Sequence, residues 1–284
     1  MNQLTIKIPQ ESHTEINVPE LKKRMKNTWS DGDYARFARY MENGAINVLE
    51  NWRIEPGTKM LDVGCGSGQT AIPSAKKGIH VSGVDIAENL IDAAKQRAAK
   101  ANLRIQFDVG DAEQLPYHND SFDTAISMFG AMFAPRPQLV VEEFARVIKS
   151  GGKLFMANWT PGSMPAQMFK CVAEVTPPPK GVPSPIQWGI EDEVIERLQN
   201  HFTDIKLARK IYPEWNYPFP TTELVNVFRE NFGPVKRAFD KISNLEQDTL
   251  YNTLENIYRN NSVFENGILT ITNGEFLEIE ATRR

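Results

Sequence analysis

Met60-Leu61-Asp62-Val63-Gly64-Cys65-Gly66-Ser67-Gly68-Gln69 decides the fold. A short apolar run ends at Val63 with an acid just inside it, glycines alternate through a turn, and Thr70 to Lys77 then carries helical spacing. The pattern predicts a strand that passes through a tight turn into a helix. Glycine suits such a turn because positive φ costs it little and no side chain keeps a ligand from the backbone. Gly-rich strand-to-helix turns also occur without a ligand. The rival ligand is a dinucleotide, whose fingerprint spaces its glycines G-x-G-x-x-G. Here the spacing is G-x-G-x-G, and Gln69 stands where the third glycine would be.

On either side of this turn, strand-like and helical runs alternate. Val81 to Val84 precedes a helix over Ala87 to Ala101, and Ile105 to Val109 leads into a loop. Phe122 to Ser127 precedes a helix over Pro137 to Ile148, and Lys153 to Asn158 follows. Strands separated by crossover helices form a parallel sheet with helices on both faces. The alternation stops near Trp159. Beyond it, Ile205 to Ile211 and Glu275 to Ala281 are strand-like and are expected to close the sheet antiparallel. The stretch 213–262 is too long for a hairpin loop and is predicted to be a helical insertion over the site. Upstream, Asp31 to Trp52 has helical spacing, and residues 1 to about 20 read as a polar tail.

The fold class expected is therefore α/β, a Rossmann-like doubly wound sheet of seven strands, mostly parallel with an antiparallel last strand, plus a helical cap. Its division is a tail (1–20), an N-terminal cap segment (21–55), a ligand-binding core (56–160) and a substrate-side insertion with the closing strands (161–284).

Composition excludes several classes. With 41% hydrophobic and 24% charged residues among 284, the chain is an ordinary globular one, and no stretch approaches a membrane span. The net charge of −4, with basic residues scattered among acids, gives no electrostatic footprint for nucleic acid. Cys65 and Cys171 alone make neither a disulfide framework nor a structural zinc site. The N-terminus lacks the basic start and apolar stretch of a signal peptide, so a cytoplasmic location is expected.

The run from Met60 to Gln69 resembles motif I of the class I S-adenosylmethionine-dependent methyltransferases. The resemblance carries Asp62, Gly64, Cys65, Gly66 and Gly68 into the site for the cofactor's amino-acid end. In Val81-Ser82-Gly83-Val84-Asp85-Ile86, Asp85 ends the second strand, where a carboxylate can accept both ribose hydroxyls, with Ile86 beside it. NAD enzymes place an acid similarly, and an Asp here can also cap the next helix. In Val109-Gly110-Asp111-Ala112, the resemblance gives Asp111 the adenine amine and Ala112 a backbone contact. Ser127-Met128-Phe129-Gly130 ends the fourth strand and adds Ser127 and Phe129 to the cofactor site. Phe144 to Leu154 resembles the family's helix, Gly-Gly turn and fifth strand, so the match spans roughly 56–160.

Trp29-Ser30-Asp31-Gly32-Asp33-Tyr34 resembles the W-x-x-G-D-Y opening of a small-molecule branch, the UbiE-like or methyltransferase type 11 enzymes. It carries over Tyr34 and Trp29 near the methionine moiety. Either aromatic is equally suited to core packing. Phe133, Trp159 and Trp188 are the candidate substrate contacts, and the aromatics of the cap imply an apolar or aromatic small molecule.

The expected function is methyl transfer from S-adenosylmethionine, leaving S-adenosylhomocysteine, to such a metabolite. The methyl is already electrophilic, so positioning dominates and no catalytic base is assigned. His13, His80, His118 and His201 fall in no catalytic context. The strand end Ser-Met-Phe-Gly lacks the Asn/Asp-Pro-Pro-Tyr or Phe signature of enzymes that methylate amino groups of DNA and some proteins, and it lacks the acidic cluster that holds Mg²⁺ in catechol-type O-methyltransferases, so no metal is expected. The alternatives kept open are a methyltransferase for RNA or protein, a nicotinamide-dependent oxidoreductase, and a cofactor-binding but catalytically silent partner. The acceptor atom and the oligomeric state are not legible in the sequence.

Overall fold

The computed structural model describes residues 17–284. Helix α1 (Val18–Trp29) opens it, capped by the Asn17 side chain with Pro19 in its first turn. The tail expected over 1–20 thus gives way to helix by Val18, and its earlier part, with His13, lies outside the described residues. Helices α2 (Tyr34–Ala38) and α3 (Glu42–Asn51) follow, and their apolar faces bury Phe37, Ala45, Val48 and Leu49.

The alternation in the sequence then becomes β1 (Lys59–Val63), α4 (Ala71–Lys76), β2 (His80–Asp85), α5 (Glu88–Lys100), β3 (Gln106–Val109), β4 (Phe122–Met128), α6 (Pro137–Val147) and β5 (Ile148–Trp159). Beyond these lie α7 (Met164–Val175), α8 (Glu191–Leu198), β6 (Phe202–Ile211), β7 (Asn216–Tyr217), α9 (Thr221–Asn231), α10 (Gly233–Lys241), α11 (Asn244–Asn260), β8 (Ser262–Glu265), β9 (Ile268–Ile271) and β10 (Glu275–Arg283). The main sheet has seven strands in the order β3-β2-β1-β4-β5-β10-β6. Strands β1 to β5 pair in parallel, and β10 runs antiparallel to both of its neighbours. This is the expected doubly wound sheet with an antiparallel last strand.

Burial explains the strand patterns. Met60, Leu61, Val63, Val84, Ala125, Ile126, Leu154 and Met156 are almost fully removed from water, because helices cover both faces of the sheet. Strand order reverses between β1 and β4, which opens a crevice at the carboxyl ends of those strands.

The insertion is helical as expected, with α10 as an added helix between α9 and α11, and it also contributes to a three-stranded sheet, β7-β9-β8, that the sequence reading did not foresee. Its β8–β9 turn is Asn266-Gly267, both at positive φ, the pair that a two-residue hairpin turn prefers. The insertion and the N-terminal helices form one cover. A Cβ on Gly233, at the start of α10, would stand 1.9 Å from the Thr28 carbonyl oxygen of α1. Lys236 and Arg237 of α10 both reach Asp31, which their charges hold below the usual carboxylate range against its partial burial.

Candidate functional site

The crevice is a cleft of about 1110 Å³ at the ends of β1, β2, β3 and β4. Its floor begins where β1 leaves the sheet. The Gly64 and Cys65 amides donate to the Val84 carbonyl at 2.8 and 3.1 Å, so the turn stays tied to the end of β2. Gly64 (φ +72°) passes against Gly130 of the loop after β4, where a Cβ would lie 2.6 Å from the Gly130 Cα. This glycine is required by backbone meeting backbone. Gly66 (φ +53°) faces the cleft instead, and a Cβ there would meet Gln69 Oε1 at 3.1 Å and Tyr34 at 3.7 Å. Gly68 packs on Ile72 and Phe107 and does not line the cleft.

Asp85 lines the cleft and braces the turn. One carboxylate oxygen accepts from the Gly66 amide at 2.9 Å and the other from the Ala87 amide at 2.9 Å. The helix cap weighed in the sequence takes the form of a bond to the residue just before α5. Burial pushes the Asp85 carboxyl up, and the backbone amides of Ala87, Gly66 and Ile86 oppose that shift. A carboxylate has about four lone-pair positions, so acceptor capacity remains for hydroxyls in the cleft.

Asp62 lies one layer deeper. It is 1% exposed, absent from the cleft wall, and receives the Thr70 hydroxyl on one oxygen while the other has no partner among the described residues. Burial pushes its carboxyl up to about 7, with the nearby Asp85 charge adding to the shift. Thr70 itself lines the cleft. Ser127 is likewise buried behind the wall, where its hydroxyl donates to the Val63 carbonyl at 2.7 Å and accepts from the Ala131 amide at 2.9 Å. It joins the loops after β1 and β4.

At the far end, Asp111 and Ala112 line the cleft with Ile86 and Leu90. The Asp111 carboxylate accepts from the Glu113 amide at 2.9 Å and pairs with Lys22 of α1. Lys22 also reaches Glu113 at 2.8 Å, and these carboxylates raise its ammonium above the ordinary value against desolvation.

A second, smaller and apolar chamber adjoins the cleft. Trp29, Tyr34, Met41, Phe129 and Phe133 line both cavities. Phe129 sits at φ +54°, an uncommon backbone for a bulky residue, and stacks on Trp159 with ring centroids 3.6 Å apart. Trp159 therefore walls the chamber. Trp188 does not: it is 1% exposed, lies 4.9 Å beneath the Arg197 guanidinium and lines neither cavity. The expectation of Trp188 as a substrate contact is corrected to core packing.

Comparisons with known proteins agree with this geometry. A family profile described as "Methyltransferase domain" matches residues 61–156. An uncharacterised protein of Mycobacterium tuberculosis is 34% identical over 221 residues, 77% of this chain and 80% of that protein. The ubiquinone biosynthesis O-methyltransferase of Coxiella burnetii is 41% identical over 113 residues, 40% of this chain and 48% of that one. The chain belongs to the class I S-adenosylmethionine-dependent methyltransferases. Among solved structures, Haemonchus contortus phosphoethanolamine N-methyltransferase 2 in complex with S-adenosyl-L-methionine matches with a TM-score of 0.55 at 21% identity, covering 85% of this chain and 52% of that one. That likeness is one of fold. The enzyme is related to the UbiE-like methyltransferases, and its cofactor is S-adenosylmethionine.

The methyltransferase cleft fits that cofactor by its donor set. Its lining combines the carboxylates of Asp85 and Asp111, further polar groups on Lys22, Gln69 and Thr70, a glycine-lined floor that a Cβ at Gly66 would crowd, and apolar Ile86, Leu90 and Ala112. Lys22, Gln69, Met41 and Tyr212 are among the wall residues that sequence reasoning missed. Lys22 lies in the cap segment 21–55, upstream of its expected contact Trp29, Gln69 was used only for glycine spacing, Met41 was covered only by the helical spacing of 31–52, and Tyr212 arrives from β6's end, its hydroxyl donating to the Met41 carbonyl at 2.7 Å. His80 and His118 are exposed, and neither they nor His201 lines either cavity. Among the described residues no group of three or more His, Cys, Asp or Glu is placed to hold a metal ion, and no helix is long and apolar enough to cross a membrane.

Proposed function

We propose that this methyltransferase modifies a small apolar or aromatic metabolite held in the chamber beside the cofactor cleft. The observation that carries this is the shared wall: five side chains, all apolar or aromatic, border both cavities, so an acceptor in one lies against a methyl donor in the other. Apolar lining with few polar groups suits a small ligand whose surface is mostly buried.

S-adenosylmethionine supplies an electrophilic methyl on a sulfonium. In this assignment Asp85 accepts the ribose hydroxyls, Asp111 and Ala112 meet the adenine edge, and Gly64, Cys65 and Gly66 leave room for the amino-acid end. Asp62 acts there from behind Thr70, while Gly68 and Ser127 hold the loops in place. Tyr34 and Trp29 close over the reacting end, and Phe129, Phe133 and Trp159 position the acceptor. Holding the acceptor atom in line and excluding water supply the rate, with no metal required. Residues 56–160 form the cofactor-binding core, with 21–55 as an N-terminal cap segment and 161–284 as the substrate-side insertion and the strands that close the sheet. The cytoplasm, a reducing compartment, suits the buried free thiols of Cys65 and Cys171.

Incubation with methyl-labelled cofactor and an acceptor library, read by mass, tests the assignment. A gain of one methyl on an aromatic or apolar small molecule, undiminished by chelator, is expected. Label found only in RNA or protein would contradict it.

A further inference from the structure

The residues around the chamber constrain the acceptor atom. Among the described residues, no Asp, Glu, His, Lys or Arg lines it; the single titratable group is the Tyr34 phenol. Burial, aided by the Asp85 charge, pushes that phenol upward, so it stays protonated and cannot take a proton at neutral pH. Asp85 and Asp111 belong to the cofactor cleft, where backbone amides and Lys22 already engage them. A phenol or alcohol acceptor must lose a proton when it is methylated. If it entered as an anion, it would need a cationic side chain, and none lines the chamber among the described residues.

On one side of the chamber Phe129 and Trp159 stack face to face with centroids 3.6 Å apart, too close to admit a flat group between them, and on the other side the rings meet at steep angles. Trp29 meets Tyr34 edge to face at 90° with centroids 6.0 Å apart, and meets Phe133 at 60° with centroids 4.8 Å apart. Phe133 meets Phe169 at 62°, with centroids 5.3 Å apart. Parallel faces would favour a flat group between them. Walls at these angles surround a rounded one, and aromatic faces carry the negative side of the ring quadrupole.

We infer that the acceptor atom is an uncharged amine nitrogen, and that Trp29, Tyr34, Phe129 and Phe133 form an aromatic cage that holds the ammonium it becomes. The inference rests on the small-molecule assignment above. Charge and atoms balance without a base. The nitrogen lone pair forms the N–C bond, the C–S pair returns to sulfur, and the positive charge moves from sulfonium to ammonium with no proton transferred. An amine that is protonated in solution gives that proton to water before transfer, so its lone pair is free when the N–C bond forms.

The test uses the protein saturated with S-adenosylhomocysteine and two ligands of one shape, phenyltrimethylammonium and tert-butylbenzene, titrated by the fluorescence of the chamber tryptophans. The ammonium is expected to bind about tenfold more tightly. Phe133→Leu should shrink that preference severalfold and Phe133→Tyr, which keeps the ring face, should retain it, with melting temperature reporting the fold of both. Equal or tighter binding of the neutral ligand overturns the inference, as does failure of both to bind at millimolar concentration. Turnover separates the two levels. Methylation of phenols with amines inert would overturn the amine and leave the small-molecule assignment standing, whereas no transfer to any small molecule would remove both.

Discussion

Gly64 and Gly130 touch backbone to backbone: a Cβ on Gly64 would lie 2.6 Å from the Gly130 Cα, and one on Gly130 would lie 2.8 Å from the Gly64 Cα. The loops after β1 and β4 close the floor of the cofactor cleft through this contact, so neither position has room for a methyl group. Gly130→Ala, at a negative φ that any residue adopts, isolates the steric part and should cost about 1–3 kcal/mol of stability with loss of cofactor binding. Gly66→Ala should differ. Its Cβ would face the cleft, so affinity for S-adenosylhomocysteine should fall more than the strain of about 1 kcal/mol predicts. Thermal melts and calorimetry on both variants check the contrast.

Asp85 has two roles, and its variants should show both. Charge-assisted bonds contribute about 1.5–3 kcal/mol, so Asp85→Ala should weaken cofactor binding on the order of tenfold to several hundredfold. It should also lower the melting temperature, because the Gly66 and Ala87 amides lose their acceptor. Asp85→Asn keeps one acceptor oxygen and should fall between. Wild-type affinity in the Ala variant would remove Asp85 from the ribose site.

Lys22 ties α1 to the cleft through Asp111 and Glu113. Lys22→Ala should change stability by about 0–1 kcal/mol, the usual range for a partly exposed pair. Its larger effect should be kinetic: S-adenosylhomocysteine should dissociate severalfold faster in stopped-flow chase experiments. An unchanged rate would show that α1 does not restrain the bound cofactor.

Asp62 predicts a pH dependence whose sign follows from burial. Its carboxyl is pushed up to about 7 in the folded protein, against about 4 in an unfolded chain. Between those values the folded state holds more protons, so this group's stabilising contribution is complete below about pH 4 and is lost as pH rises through about 7. Asp62→Asn should flatten that part of the stability profile and raise the melting temperature at pH 8 relative to wild type. Denaturant titrations from pH 5 to 8 measure the slope.

The β1 turn, the alternation around it and the closing strands were legible because each rests on a local pattern: Met60 to Gln69, the apolar runs at 81–84 and 122–127, and 275–281. The β7-β9-β8 sheet was not, because β7 has two residues and pairs only with β9, some fifty positions away, although Asn266-Gly267 signalled the hairpin. Helix α10 was hidden by Gly233-Pro234, which the structure uses as a helix start against Thr28. For the site, positions read as ligand contacts divide by depth. Gly66, Asp85 and Asp111 reach the cleft, whereas Asp62, Gly68 and Ser127 lie behind its wall and Trp188 lies elsewhere. Periodicity along a strand gives the face a residue occupies, not how far its side chain stands from a cavity.

A crystal of the complex with Se-adenosylselenohomocysteine, whose selenium replaces the sulfur that carries the methyl, tests the account most directly through its anomalous signal. One selenium peak should lie at the junction of cleft and chamber, among Tyr34, Trp29, Phe129 and Phe133. A peak at the Lys22 and Asp111 end, or outside the cleft, would contradict it.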